Sequence, residues 1–279
     1  MKISCNAKIN LSLGITAKRD DGYHLIDSVM QSVSIRDELT VNAADEITVI
    51  CSKKEYSGEK NIAYTAAKEF FAATNISGGA KIYIEKGIPD TAGMGGGSAD
   101  AAAVITALDK IYGTQLSLEE LCKIGLKVGA DVPFCFIGGT VRVRGIGDIL
   151  EPLPHLTDLY FVITKNGTKI STKDMYKKFD AIEKPFIPNT DLLIKGITEN
   201  DINTIAYNIG NSFEEITGLY GIDEILGDTS PLAVSLSGSG PTVFGVYSDE
   251  ESADKAFSIL KSKGIEVYKA KPQNKCIFL

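Results

Sequence analysis

Between Ile3 and Leu13 apolar and polar residues alternate without exception. Ile3, Cys5, Ala7, Ile9, Leu11 and Leu13 fall on one side, and Ser4, Asn6, Lys8, Asn10 and Ser12 on the other. A period of two belongs to a half-buried β-strand, so the spacing predicts a strand whose polar face carries Lys8 and Asn10 together. Lys18-Arg19-Asp20-Asp21-Gly22 reads as a turn. Residues 23–35 and 39–51 read as further strands, which makes the start of the chain a β-meander. From Asn61 to Phe71 the spacing becomes helical, with Ile62, Ala66, Ala67, Phe70 and Phe71 recurring on one face. Residues 80–85 predict a strand, and 98–112, apolar nearly all round, a buried helix. Ser117 with Glu120 forms a capping box that opens a helix to about Val128, and 140–149 return to strand.

Two close prolines, Pro152 and Pro154, end regular structure and favour an extended connection. They divide the chain into an expected N-terminal domain, 1–152, and a C-terminal domain, 153–279. Beyond them the pattern predicts a strand at 159–164, helices at 172–180 and 201–217, a strand pair flanking Gly238 to Pro241, a helix at 249–263 and a last strand from Ile265. Strands and helices mixed without strict alternation predict an α+β fold rather than a doubly wound sheet. No internal repeat and no low-complexity tract interrupts the chain.

Composition narrows the function. At 279 residues, 44% hydrophobic and 23% charged, the chain is neither a fibre nor a disordered tail. The balance of 29 Lys and Arg against 36 Asp and Glu gives a net charge of −7, without the chain-wide positive field that nucleic-acid binders use. Any anionic ligand is therefore held by local groups. Two histidines, His24 and His155, exclude a histidine-rich zinc site, and His155, flanked by Pro154 and Leu156, reads as structural. Five cysteines, an odd number without Cys-x-x-Cys spacing, suit small buried apolar positions in a reducing, cytoplasmic compartment. The first 25 residues lack the apolar stretch of an export signal, and no run of about 18 apolar residues predicts a membrane span.

Glycine is the outlier: 27 residues, a tenth of the chain, against a usual share of about 7%. Pro89-Asp90-Thr91-Ala92-Gly93-Met94-Gly95-Gly96-Gly97-Ser98-Ala99 holds four of them in five positions, directly before the buried helix. Residues without Cβ let backbone N–H groups converge and a ligand approach the main chain, while a helix start adds unpaired N–H groups and a positive dipole end. Polyphosphate binding needs this combination. A mobile turn is the alternative, but mobility would be wasted directly before a buried helix. No glycine is followed by lysine, which excludes a Walker loop, and the third glycine of the dinucleotide fingerprint is missing after Gly93 and Gly95. A His-Arg-Asp loop of the protein-kinase kind is also absent.

The residues resemble the GHMP small-molecule kinases. Pro89 to Ala99 is similar to that family's second motif, and Leu236-Ser237-Gly238-Ser239-Gly240-Pro241-Thr242-Val243 to its third. Ala7-Lys8-Ile9-Asn10-Leu11-Ser12-Leu13, Asp21-Gly22-Tyr23-His24 and Gly129-Ala130-Asp131-Val132-Pro133-Phe134 look like one branch in particular, which phosphorylates the 2-hydroxyl of a cytidine-diphosphate-linked polyol with ATP on the non-mevalonate isoprenoid route. Five matches in order cover nearly the whole chain. The resemblance implies an N-terminal domain like ribosomal protein S5, a C-terminal ferredoxin-like α/β domain, and ATP with Mg²⁺ as cofactors. It implies small-molecule partners only, with no nucleic acid and no membrane.

It also assigns roles. Lys8 and Asp131 become the catalytic pair beside the acceptor hydroxyl; by themselves, Lys8 reads equally as a solvated lysine and Asp131 as a turn or capping carboxylate. The segment from Pro89 to Ala99 becomes the ATP-phosphate loop. Asn61 lies near the adenine or caps a helix, two readings that stand side by side. Tyr23, His24 and Tyr176 become the cytosine site, Tyr176 standing where the branch usually has Phe, although a Tyr-His pair after a turn is also ordinary surface packing. Asn10 becomes a substrate ligand. Ser98 is a candidate for Mg²⁺, but Ala99 and Asp100 stand where the branch usually has Ser and Asn, so the metal ligands stay open.

Overall fold

The protein is described by a computed structural model covering residues 1–279. The alternating segment is the middle of a longer strand, β1 (Lys2–Lys18), which turns back through 19–23 into β2 (His24–Ala44) and pairs with it antiparallel from Lys2↔Thr40 to Lys18↔His24. Register shifts between Asn6 and Ala7, Asn10 and Ser12, and Ile15 and Ala17 mark bulges, which bend and twist a ribbon of this length. The expected break between two strands near Arg36 does not occur. Asp37 is fully buried within β2, and a buried, hydrogen-bonded carboxylate does not end a strand. The chain turns only after Ala44, and β3 (Thr48–Cys51) then lies parallel to β4 (Gly79–Glu85).

The first sheet runs β12-β1-β2-β4-β3, where β12 is the last strand of the chain, Ile277–Phe278. The predicted strand over 140–149 is a hairpin, β5 (Thr140–Gly145) and β6 (Ile149–Pro152), with Gly145 and Gly147 in left-handed conformation at its turn. Four helices accompany this sheet: α1 (Ile62–Thr74), α2 (Gly96–Tyr112), α3 (Leu118–Val128) and the unpredicted α4 (Val132–Ile137). As its all-round apolar pattern predicts, α2 is the central one, touching β1, β2, β4, α1, α3 and α4. The capping box at Ser117 and Glu120 forms as expected.

A second, antiparallel sheet has the order β11-β7-β10-β9, built from β7 (Tyr160–Lys165), β9 (Ala233–Leu236), β10 (Thr242–Tyr247) and β11 (Val267–Ala270). Helices α5 (Thr172–Phe179), α6 (Thr190–Glu199), α7 (Ile202–Tyr207), α8 (Glu214–Thr217), α9 (Ile222–Gly227) and α10 (Glu250–Ser262) complete this half. The helix predicted over 201–217 is interrupted: it splits into α7 and α8 around the short β8 (Gly210–Asn211), which joins β1 in parallel. Its cause is Asn211, whose buried side chain donates to the carbonyls of Leu236 and Gly238 rather than facing solvent from a helix. The last strand, β12 (Ile277–Phe278), also returns to β1.

These returns change the environment of the first strand. Its polar face, expected to be half exposed, is covered: Asn6, Lys8, Asn10 and Ser12 are all buried. The Asn10 backbone N–H donates to Ser237 Oγ at 3.3 Å, and Ser12 Oγ lies 3.2 Å from Thr190 Oγ1. Mixed helices and strands in two sheets make the α+β architecture that the pattern predicts.

Candidate active site

The glycine loop lies between β1 and the β9–β10 hairpin and is tied to both. Lys8 N–H donates to Met94 O at 2.9 Å, Ser237 Oγ to Gly93 O at 3.1 Å, and Thr242 N–H to Ala92 O at 3.2 Å. Two glycines are required sterically. Gly93 and Gly95 have φ of +80° and +69°, and a Cβ there would fall 2.5 Å from Ser237 O and 2.9 Å from Lys8 Cγ respectively. Gly95 is the N-cap of α2 and offers no side chain to its first turn, which leaves the N–H groups of that turn without a capping acceptor.

That cavity, about 350 Å³, is lined by every residue from Pro89 to Ser98, by Asn61 and by Tyr56, Lys60, Lys86 and Asp100. Ala99 is not among them; it is buried in the core beneath the loop. Asn61 is the cap of α1, accepting from Ala63 N–H at 2.8 Å, and it also lines the cavity. Asp90 is held by Lys53.

A second cavity, about 640 Å³, opens on the other side of Lys8. Gly93, Gly95 and Ser98 line both spaces, so they meet at the loop. Lys8 Nζ lies here 3.3 Å from Asp131 Oδ2, the lysine 4% exposed and the carboxylate 34%. Asp131 occupies the N-cap position of α4, yet its side chain makes no capping bond; the carboxylate faces Lys8 and the cavity. Lys8 also donates to Asn10 Oδ1 at 2.7 Å, which accepts the Gly238 N–H at 3.0 Å as well, while Asn10 Nδ2 donates to Ser28. Asn10 thus braces the lysine against the hairpin from the wall of the cavity.

At the far end, the His24 ring stacks on Tyr176 at 4.5 Å and 15°, and Tyr176 meets Phe213 edge-on. His24 Nε2 lies 2.7 Å from Asp180 Oδ1, and Lys18 reaches the other oxygen, Oδ2. Burial, with the Asp131 charge adding to it, pushes the Tyr176 phenol up to about 12. Tyr23 stands at the rim, 64% exposed. The four residues expected on the substrate side, Asn10, Tyr23, His24 and Tyr176, therefore line one space with Lys8 and Asp131.

Two groups escaped the sequence reading. Lys169 lines the larger cavity and donates to Ser239 Oγ at 2.8 Å and to Gly240 O; it lies just before α5, which carries Tyr176. Beneath the glycine loop, Lys86 Nζ bridges Asp37 and Asp100, 2.9 Å from Asp100 Oδ2. Asp37 also accepts the N–H groups of Gly87 and Ile88, at 2.7 and 2.8 Å. Burial raises Asp100 to about 7 against the pull of Lys86, and burial works to lower Lys86 while Asp100 and Asp37 carry it above its ordinary value. The unusual Asp100 is thus a buried partner of a lysine. Cys5 donates to it at 3.5 Å, and burial holds that thiol well above its ordinary range; a protonated thiol and two lysine-bound carboxylates are no donor set for Mg²⁺, which takes oxygen ligands.

The family comparisons agree with this geometry. Residues 61–139 match the GHMP kinases N terminal domain and 193–266 the GHMP kinases C terminal family. The chain belongs to the GHMP kinase family. Among its curated relatives are 4-diphosphocytidyl-2-C-methyl-D-erythritol kinases of Clostridium botulinum (strain Eklund 17B / Type B), 40% identical over 96% of this chain and 98% of the relative, and of Clostridium tetani (strain Massachusetts / E88), 41% identical over 97% and 99%. A crystal structure of 4-(cytidine 5'-diphospho)-2C-methyl-D-erythritol kinase superposes with a TM-score of 0.82 at 27% identity, covering 98% of this chain and 99% of that one. Homoserine kinase from Cytophaga hutchinsonii shares the fold, with a TM-score of 0.80 at 21% identity over 100% of this chain and 96% of that one.

Proposed function

We propose that the chain transfers the γ-phosphoryl group of ATP to the 2-hydroxyl of 4-diphosphocytidyl-2-C-methyl-D-erythritol, a step of the non-mevalonate route to isoprenoid precursors. The observation that carries this reading is the Lys8–Asp131 pair, 3.3 Å apart, where a glycine-loop cavity and a larger cavity ending in stacked rings adjoin. ATP occupies the first, its phosphates on the N–H groups from Gly93 to Ser98. The acceptor occupies the second, its cytosine at His24, Tyr176 and Tyr23 and its polyol at Lys8 and Asp131. The two lobes, 1–152 and 153–279, enclose it between them. Five free cysteines suit a reducing compartment, the cytoplasm, and no helix is long and apolar enough to cross a membrane.

A carboxylate is too weak a base to ionise an alcohol beforehand. The gap of about 11 pKa units corresponds to about 15 kcal/mol. Asp131 instead orients the hydroxyl and accepts its proton late, when bond formation to phosphorus has acidified it, which suits a loose phosphoryl-transfer transition state. Lys8 holds Asp131 in place and offsets negative charge as the γ-phosphoryl passes. Mg²⁺, when bound with ATP, supplies further charge neutralisation. The residue that would hold it is Ser98, whose hydroxyl borders both cavities and is the kind of oxygen ligand magnesium takes.

The test is a coupled ADP-release assay on the purified chain with the cytidine-diphosphate acceptor, homoserine and mevalonate in parallel. ADP release with the first alone is the expected result. Release with homoserine or mevalonate and none with the first sinks the assignment.

A further inference from the structure

The walls of the larger cavity carry more positive charge than their own carboxylates neutralise. Lys8 is paired with Asp131, Lys18 and His24 with Asp180, and Lys177 with Asp174. Lys169 and Lys173 make no ion pair. Lys173 is exposed, whereas Lys169 is half-buried, and its only hydrogen bonds are to the Ser239 hydroxyl and the Gly240 carbonyl. Taking a lysine out of water without a carboxylate is unfavourable. The arrangement becomes favourable once an anion enters the cavity. Thr172 Oγ1 lies 3.1 Å from Ser239 Oγ; one hydroxyl of this pair donates to the other, which leaves one O–H free to donate to an anion. Lys169 borders the acceptor cavity and not the glycine-loop cavity, which assigns the anion to the acceptor rather than to ATP.

We propose that Lys169 anchors a phosphate of the acceptor against the Ser237–Gly240 hairpin and the start of α5, so that the site selects a phosphate-bearing acceptor over an uncharged one. This rests on the kinase reading above and adds to it a residue that discriminates among acceptors. A titration accompanies the geometry. Burial, helped by repulsion from Lys8 and opposed by Asp131, brings Lys169 down to about 8. The charged groups that face it are Lys8 on β1, Asp131 at the head of α4 and Lys173 on α5; the hairpin brings only Ser239 and the Gly240 backbone. With its free-state pKa below the ordinary lysine value, the cation is lost as pH rises through about 8, and acceptor affinity falls with it. Anion binding restores the proton.

The experiment uses the full chain with Lys169→Met, Lys169→Gln, which can still donate to Ser239, and Lys169→Arg, which keeps the charge. CDP serves as a binding probe in calorimetric titrations, and steady-state kinetics are run with the cytidine-diphosphate acceptor from pH 7 to 9.5. Met and Gln are expected to weaken CDP and raise the acceptor KM about 10- to 100-fold, the usual worth of a charge-assisted hydrogen bond. Arg is expected to stay within about threefold of the wild type and to remove the fall of kcat/KM above pH 8. CDP affinity unchanged in both uncharged variants, or a rise confined to the KM for ATP, overturns the proposal. If the wild type binds CDP through Lys169 but phosphorylates no cytidine-diphosphate acceptor, the kinase assignment fails and the anchor stands; turnover with an acceptor KM indifferent to Lys169 has the opposite meaning.

Discussion

At the scale of single residues, the site depends on where charge is compensated. Asp131 has Lys8 as its only ion-pair partner and makes no capping bond. Asp131→Asn keeps the shape but cannot accept the proton, and kcat is expected to fall about 10²–10⁴-fold while the calorimetric affinity for ATP stays within about threefold; an unchanged kcat removes Asp131 from the mechanism. Beneath the loop, Asp37 and Asp100 share Lys86, and the two carboxylates differ in what they return. Asp37 satisfies two backbone N–H groups as well as the lysine, so Asp37→Asn is expected to cost about 3–5 kcal/mol. Asp100 is raised by burial to about 7. Its folded form therefore holds a proton that the unfolded chain has already released, and its contribution is present at low pH and declines as pH rises through about 7. Urea melts of Asp100→Asn should accordingly gain on the wild type between pH 5.5 and 8. A variant that instead loses ground to the wild type over that interval contradicts the assignment.

At the scale of elements, α2 begins and ends on glycines in the same left-handed conformation, with φ of +69° at Gly95 and +64° at Gly113. Alanine at either should cost about 1–2 kcal/mol for the backbone alone. Only Gly95 has the Lys8 side chain behind it, whereas nothing lies within 4 Å of a Cβ at Gly113. Gly95→Ala should therefore lower kcat at least tenfold and Gly113→Ala leave it within about twofold, with the larger loss of Tm at Gly95; equal losses of kcat would detach the loop from Lys8. Much of this level was legible. The alternation of β1, the helical spacing of α1, the all-round apolar α2 and the capping box of α3 each report a local preference that burial reinforces. Two of the failures share a cause: Asp37 within β2 and Asn211 within a predicted helix are polar residues whose partners are remote in sequence, so a local pattern misreads them as breaks or as solvent-facing positions.

At the scale of the whole molecule, β8 and β12 from the second half complete the sheet of the first, and one apolar core includes Ile9, Val29 and Ala101 together with Phe161, Phe244 and Cys276. Such sharing predicts one cooperative transition. Urea unfolding followed by far-ultraviolet circular dichroism and by tyrosine fluorescence should coincide; two separated midpoints would show the halves unfolding independently. The sequence by itself determined the strand and helix periods, the glycine loop before a buried helix, and the motifs that mark a GHMP kinase, because each is written in neighbouring residues and read by local sterics and burial. The tertiary structure alone decided that the polar face of β1 is covered, that Lys8 meets Asp131 and leans on Asn10, that Lys86 lies between two aspartates, and that Lys169 stands unpaired in the larger cavity. Each of these couples groups from distant segments, and the free energy of a charge depends on the partners and the water that only the folded chain arranges around it.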